Sequence, residues 1–187
     1  MIKFKLIYFC IIFLVVGCAK PQLSIHKKPG VDFLKHKKLA VLKFTCKDTG
    51  IGQEVSDLIA MEFMKKGYDV VERSQLQAII DENAIINAGL TDTSISELKL
   101  KGINTIVNGA VTRYDCQQRL FLIPTQYGSA GGSKEQCHVS LSLKMLDVKS
   151  GEVIWATQAS HSLRGKNMTA GQVMSEIMEK LERELPQ

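Results

Sequence analysis

The sequence predicts an α/β fold, a single domain in which a mixed β-sheet is covered by helices. In the first half of the chain, apolar strand-like runs alternate with amphipathic helical stretches, a pattern that favours parallel strands. In the second half, a strand with period-two alternation is followed by a tight turn and a returning strand, which adds antiparallel pairing. An export signal at the amino terminus leaves a mature chain of the size of one domain.

The amino terminus has the pattern of a secretory leader. Lys3 and Lys5 precede an apolar run over residues 6–16, which is shorter than the roughly 20 residues that a membrane-spanning helix needs. Gly17 and Cys18 follow, and this junction resembles a lipobox, the processing site of bacterial lipoproteins. The resemblance implies cleavage before Cys18 and a diacylglycerol on its sulfur. An ordinary leader with a chance cysteine is the alternative.

Three segments follow from this assignment. Residues 1–17 are the signal peptide, residues 18–37 a lipidated basic tether rich in lysine, and residues 38–187 the folded domain. The formal charge falls from +5 to +3 when the two leader lysines are removed. That charge is too small to indicate a nucleic-acid partner, and we expect none.

The first half of the domain predicts alternating strands and helices. Residues 38–45 form an apolar strand, residues 49–52 a glycine-containing turn, and residues 53–66 a helix that Gly67 ends. Residues 68–73 form a second strand. Capping boxes beginning at Ser74 and Ser94 predict two further helices, the second of which stops at Gly102.

The second half predicts three strands and a final helix. Residues 103–114 form a strand interrupted by Gly109, and residues 138–145 alternate between apolar and polar side chains. A tight connection over residues 147–152 leads into a strand over residues 153–160. A capping box that joins Thr169 and Gln172 begins the last helix.

Three cysteines remain beyond Cys18 in a compartment that permits disulfides. Cys116 and Cys137 bracket a polar, glycine-rich segment that we interpret as a loop, and a bond between them would close its base. Two unpaired thiols are the alternative. Cys46 ends a strand pattern and is expected to be a small packed side chain. The sequence has no Cys and His cluster with metal-ligand spacing, so neither a metal nor a cofactor is expected.

Two groups of residues are candidates for specific contacts. Glu62 is the one charge near the middle of the apolar face of the first helix, and Arg73 is its candidate partner in a structural ion pair. An exposed edge position for Glu62 is the alternative. The consecutive apolar residues Leu120, Phe121, Leu122 and Ile123 predict an interface on a surface loop, unless they fold back onto the core.

Four segments, in order, resemble the CsgG family, the lipoproteins typified by the curli secretion channel. Residues 38–44 (KLAVLKF) are similar to its opening strand, and residues 68–76 (YDVVERSQL) to its V-V-E-R-S-x-L stretch. Residues 102–111 (GINTIVNGAV) resemble G-A-D-x-I-V-x-G-x-V, and residues 146–155 (LDVKSGEVIW) resemble D-V-x-T-G-E-V-L-W. The resemblance implies an α/β periplasmic domain. The curli channel spans the membrane with two hairpins per subunit, whereas here the first candidate hairpin breaks at Pro124 and the second has no room.

The expected function is therefore non-enzymatic. We expect a lipid-anchored protein of the outer membrane, facing the periplasm, that assists assembly or secretion of a surface structure such as curli. Its partners would be the membrane, through the lipid, and periplasmic or outer-membrane proteins, including further copies of itself. A channel subunit of a homo-oligomeric ring is one alternative. An envelope enzyme is the other, although the sequence offers no matched nucleophile, base and oxyanion site.

Overall fold

The computed structural model describes residues 20–71, 76, 98, 101–126 and 128–186. The strands are β1 (Gln22–Lys27), β2 (Lys38–Val41), β3 (Asp69–Val71), β4 (Thr105–Thr125), β5 (Gly128–Asp147) and β6 (Val153–Gly165). The helices are α1 (Thr49–Lys65) and α2 (Ala170–Glu184), with a short 3-10 helix at Phe33–His36. The helices predicted from Ser74 and Ser94 lie outside the described residues.

The described strands form one mixed sheet of six strands in the order β1-β6-β5-β4-β2-β3. β2 is parallel to both of its neighbours, β3 and β4. The β4–β5, β5–β6 and β1–β6 pairs are antiparallel. This arrangement confirms the mixed α/β fold, with parallel pairing contributed by the first half of the chain and antiparallel pairing by the second.

Side chains on the two faces of the sheet enter two separate cores. Leu39 and Val41 on β2 pack with α1 and α2, in a cluster that also contains Phe63 and Trp155. The intervening Ala40 points to the opposite face. There it joins a smaller cluster, whose other members are Leu42, Leu76, Leu98, Ile103, Ile106 and Val148. Both faces of β2 are buried, as expected for a strand between two parallel neighbours.

The segment predicted as a tether instead belongs to the domain. The β1 strand pairs with β6 over six residues, from Gln22 opposite Ser160 to Lys27 opposite Trp155. Phe33 is buried in the larger core, and the Lys27 ammonium lies 4.7 Å from the centre of its ring. Lysine-rich composition misled the prediction, because backbone pairing and one aromatic anchor are enough to hold this segment while its lysines stay in solvent.

The turn predicted at residues 49–52 is the first turn of α1. The Asp48 carboxylate caps it, accepting hydrogen bonds from the amides of Gly50 at 2.8 Å and Ile51 at 3.4 Å. Gly52 serves packing rather than a turn, because a Cβ there would lie 2.2 Å from the carbonyl oxygen of Phe44.

Gly109 does not interrupt its strand. A Cβ at Gly109 would lie 2.4 Å from the Phe44 ring and 2.3 Å from the carbonyl oxygen of Ser142, so this glycine lets β4 pass close beneath both. The predicted 147–152 connection and the Thr169 capping box are confirmed, with Gly151 at φ +71° and the reciprocal bonds between Thr169 and Gln172 in place.

Candidate interaction surfaces

The longest projecting feature is the outer part of the β4–β5 hairpin, residues 116–137, which we call the hairpin extension. It was predicted as a polar loop, but β4 and β5 remain paired to its end, where Thr125 lies opposite Gly128. Pro124 is paired opposite Ser129 and does not break the strand. The third strand, β6, reaches only to Gly165, opposite Glu135, so the distal part of the extension has two strands.

The interface candidates lie near the end of this extension. The exposed fractions of Leu120, Leu122 and Ile123 are 82%, 76% and 55%, so these residues do not fold back onto the core. The backbone of Phe121 continues the strand, while its side chain lies outside what the structure describes. Exposed apolar side chains that stand together on a protruding element are typical of a contact surface.

A disulfide lies at the base of the extension. Cys116 and Cys137 are directly opposite each other across β4 and β5, and their sulfur atoms are 2.03 Å apart. Cys137 is fully buried in the larger core, whereas Cys116 is exposed. The bond therefore joins the extension to the core at the point where burial ends. Cys46 is free and half-buried, beside the larger core.

Glu62 is buried near the end of α1, with only 5% of the residue exposed. Its Oε1 accepts a hydrogen bond from Lys65 Nζ at 2.8 Å, one helical turn away, while Oε2 has no hydrogen-bond partner in the described structure. The predicted partner, Arg73, lies outside the described residues. The hydrogen bond with Glu62 raises the pKa of Lys65, and nearby Glu182 contributes to the increase.

Glu62 and Lys65 line a groove of about 550 Å³ between α1 and α2, which we call the helix groove. Tyr114, just before the hairpin extension, lines its other end. Burial raises the pKa of the Tyr114 phenol, and the negative charge of Glu54 raises it further. The groove is thus a partly apolar and electronegative surface next to the projecting hairpin.

The polar side chains that could suggest chemistry are instead tied into local structure. His161 is buried and its Nε2 lies 2.7 Å from Glu176 Oε2, which links β6 to α2. Burial acts to raise the pKa of Asp147, but hydrogen bonds from the Ser150 hydroxyl and amide outweigh it and hold that pKa low. His36 contacts Thr105 Oγ1 at 3.0 Å.

Two further kinds of feature do not occur in the described part of the chain. No group of three or more His, Cys, Asp or Glu side chains is arranged to hold a metal ion there. None of the helices in the same ranges is both long enough and apolar enough to cross a membrane.

The fold and these surfaces define a class of protein: a mixed-sheet α/β domain with a long hairpin and a helix groove beside it. The chain belongs to the family described as curli production assembly/transport component CsgG, whose model matches residues 31–182. The matched range includes Phe33 and the 3-10 helix and begins after β1.

Solved structures share the fold at low sequence identity. The PelC dodecamer from Paraburkholderia phytofirmans is 14% identical with a TM-score of 0.54, and the alignment covers 86% of this chain and 94% of PelC. A leucine-to-methionine variant of the same dodecamer is also 14% identical, with a TM-score of 0.55 and the same coverage. Lipoprotein GNA1162 from Neisseria meningitidis is 16% identical, covers 78% of this chain and 98% of its own, and has a TM-score of 0.47. Among curated proteins, none matches by sequence.

Proposed function

We propose that this protein is a lipid-anchored, non-enzymatic component of the bacterial envelope that assists secretion or assembly of a surface structure. It would act at the outer membrane, on the periplasmic side, through contacts with other proteins and with further copies of itself. The observation that carries the proposal is the match of residues 31–182 to a family of assembly and transport components. The PelC structures of similar fold are described as dodecamers, which supports self-association as the working form.

The position of β1 favours a close lipid anchor. Cys18 lies outside the described residues, but β1 begins at Gln22 and pairs with β6 from its first residue. Three residues between Cys18 and Gln22 can span at most about 14 Å when extended. A lipid on Cys18 would therefore hold this edge of the sheet close to the bilayer, rather than let the domain move on a long tether.

The surroundings of two of the four histidines support a non-enzymatic role. His161 is enclosed between β6 and α2 and paired with Glu176, and His36 contacts Thr105 beside the turn that follows β5. Both side chains join elements of the fold, whereas a general base must reach a substrate proton. The exposed features are apolar and charged surfaces, which suit binding to another macromolecule.

The anchor is tested by replacing Cys18 with Ser. The wild-type protein should sediment with outer membranes, and the variant should not, because a serine cannot carry the thioether-linked lipid. The measurement is immunoblotting of fractionated cells, with mass spectrometry of the mature amino terminus. Cys46→Ser is the matched control and should stay with the membranes. A Cys18→Ser protein that still sediments with outer membranes would show that the anchor proposal is wrong.

A channel subunit is the second candidate, and the continuous hairpin extension favours it. Both arms remain paired out to Thr125 and Gly128, which removes the objection that Pro124 breaks the first arm. Purified protein in planar bilayers should then give stepwise conductance that disappears when Leu120 and Leu122 are both changed to Lys. Absence of conductance from oligomeric wild-type protein would leave the non-channel role.

A further inference from the structure

The helix groove is acidic in a protein that is basic overall. Its lining includes Glu54, Glu62, Glu179 and Glu182 against a single cation, Lys65, which gives a formal charge of −3, whereas the whole chain carries +5. The field of these carboxylates acts on neighbouring groups, because Glu54 raises the pKa of Tyr114 and Glu182 that of Lys65. Concentrated charge of one sign in a concave surface favours a partner of the opposite sign.

The groove also offers apolar surface. Met174 and Met178 form part of its floor and are buried, while Met61 on the facing helix is 45% exposed. Methionine side chains adapt to the shape of what packs on them. An occupant that combines cationic groups with aliphatic side chains would satisfy both properties of the groove.

Glu62 supplies a specific acceptor within this surface. Its side chain is 7% exposed, and the Oε2 atom is buried without a hydrogen-bond donor in the described structure. Leaving such an acceptor unsatisfied is costly, and the charge makes the cost greater. A guanidinium or ammonium group that entered the groove could donate to Oε2, while Lys65 continues to donate to Oε1.

The hairpin extension has the complementary composition. It carries two cations and one carboxylate, a formal charge of +1, opposite in sign to that of the groove. The cations are Arg119 and Lys134, and the carboxylate is Glu135. Alternate residues of a strand share a face, so Ile123, which is 55% exposed, lies on the same face of β4 as Arg119. Leu120 and Leu122 lie on the opposite face. One face of the extension thus presents two cations and an exposed aliphatic side chain.

One cross-strand pair in the extension makes an anionic partner favourable. Arg119 lies directly opposite Lys134 in the register of β4 and β5. Residues directly opposite each other on paired strands share a face, so a bound acidic surface would meet two cations at once.

The extension of one chain cannot fold back into the groove of the same chain. Tyr114 lines the groove, and β4 continues outward from it in unbroken pairing with β5. Arg119, five residues further, stands about 16 Å beyond Tyr114 along an extended strand. The extension that occupies a groove must therefore come from another copy.

We propose that the helix groove of one copy binds the hairpin extension of a second copy, with the second copy's Arg119 and Lys134 facing the groove carboxylates. This proposal rests on the self-association in the proposed function and names the surfaces that carry it. The two surfaces differ, so the contact is head-to-tail, and a pair of copies retains one free groove and one free extension. Such contacts build rings when they close and filaments when they do not.

A mixing experiment with two charge-reversal variants tests the pairing. The groove variant carries Glu54→Arg and Glu179→Arg, and the extension variant carries Arg119→Glu and Lys134→Glu; all four positions are exposed. Each lipidated protein is purified in detergent, and its oligomer mass is measured by light scattering across a concentration series. Glu184→Arg on α2 and Lys149→Glu in the β5–β6 turn are matched controls, exposed and outside both surfaces.

The head-to-tail contact predicts a distinctive pattern. Wild-type protein and both controls should form oligomers larger than dimers, and each variant alone should associate at least tenfold more weakly. An equimolar mixture of the variants should form oligomers again, because the native extension of the groove variant meets the native groove of the extension variant, and the two reversed surfaces also carry opposite charges. If a reversal variant does not fold, neutral variants take its place and should also weaken association. They are Glu54→Gln with Glu179→Gln for the groove, and Arg119→Gln with Lys134→Gln for the extension.

The other outcomes distinguish a failure of the groove–extension contact from a failure of self-association itself. Variants that associate like wild type would overturn the named surfaces and leave self-association standing. Variants that are monomeric alone and stay monomeric on mixing would show that the two surfaces do not meet. A wild-type protein that is monomeric at every concentration would overturn both proposals together.

Discussion

The inner and outer halves of the β4–β5 hairpin are built from the same two strands but have opposite environments. In the inner half, Val107, Leu143 and Met145 are 0% exposed. In the outer half, Leu120 is 82% and Leu122 76% exposed, although β4 and β5 stay paired to the end of the hairpin, with one register shift between Val111 and Arg113. Continuous pairing therefore does not imply a continuous core, and the outer half is left available for contacts with other molecules.

The change in environment has a structural cause. Neighbouring elements cover the inner half on each side. β2 pairs with β4 up to Val107, and Thr45 continues along β4 with a bridge to Ala110. On the other side, β6 pairs with β5 from Leu146 back to Glu135, and beyond Glu135 the two strands of the hairpin continue alone in the described part of the sheet. An isolated two-stranded hairpin is marginal in water, so the Cys116–Cys137 bond at the boundary is well placed to hold the outer half in line with the inner half.

The largest expected effect comes from truncating one leucine in each half. Leu143→Ala removes a fully buried side chain and should lower the free energy of unfolding by about 2–5 kcal/mol. Leu120→Ala removes the same atoms from an exposed position and should change that free energy by no more than about 0.5 kcal/mol. Urea denaturation of the two purified variants and the wild type measures both. Equal losses would mean that the outer half is packed against something within the chain.

The second largest expected effect concerns the Cys116–Cys137 disulfide, which lies between the inner and outer halves of the hairpin. Replacing both Cys116 and Cys137 with Ala opens a link with a sequence separation of 21 residues, which should cost up to about 3 kcal/mol of stability. The loss of stability should be concentrated in the outer half of the hairpin. Amide hydrogen exchange should therefore accelerate far more at residues 118–125 than at residues 141–146. The wild-type protein under reducing conditions should behave like the double variant. Uniform acceleration along both halves would show that the bond supports the whole domain rather than its extension.

Elements fixed by local chemistry were predictable from the sequence. The 147–152 connection follows from Gly151, which adopts positive φ, and the last helix from the reciprocal capping of Thr169 and Gln172. For Glu62 on α1 the sequence left a buried and an exposed edge position open, and the buried position is the observed one. Each of these signals involves residues within a few positions of one another.

Elements stabilised by backbone pairing were missed. The glycine-rich stretch over residues 128–133 has the composition of a loop, yet main-chain hydrogen bonds to β4 keep it extended. The β1 strand was likewise obscured by lysines, which remain in solvent while its backbone pairs with β6. Composition reports on side chains, and neither segment depends on them for its pairing.

The helix groove could not be predicted because it brings together distant parts of the chain. Glu62 and Glu179 lie on two helices more than a hundred residues apart in sequence, and Tyr114 comes from a strand between them. Lys65, the observed partner of Glu62, was predictable from its i+3 spacing on the same helix. The pairing of Glu62 with Arg73 stays a prediction, since Arg73 lies outside the described residues.

The smallest expected effect compares two tyrosines, the buried Tyr68 and the half-buried Tyr114 just before the hairpin extension. Tyr68 is 5% exposed and donates a hydrogen bond to the carbonyl oxygen of Pro186 at 2.8 Å. Burial raises the pKa of Tyr68 to about 12, above the value near 10 of an unfolded chain. Between those pH values the unfolded state has lost a proton that the folded state retains, so folding stability falls as pH rises, by about 2 kcal/mol.

Tyr68→Phe isolates this contribution. The variant loses the hydrogen bond to Pro186 and should be about 1 kcal/mol less stable at pH 8. It should then lose less stability than the wild type on going from pH 9 to pH 12, because the buried phenol is gone. Urea midpoints measured across that range provide the comparison, and Tyr114→Phe is the control, since Tyr114 is only partly buried and its raised pKa depends in part on Glu54. If the stability of the Tyr68→Phe variant and that of the wild type fall in parallel as the pH rises, Tyr68 ionises as freely as an exposed tyrosine. That result would mean that water reaches the Tyr68 phenol beside Pro186.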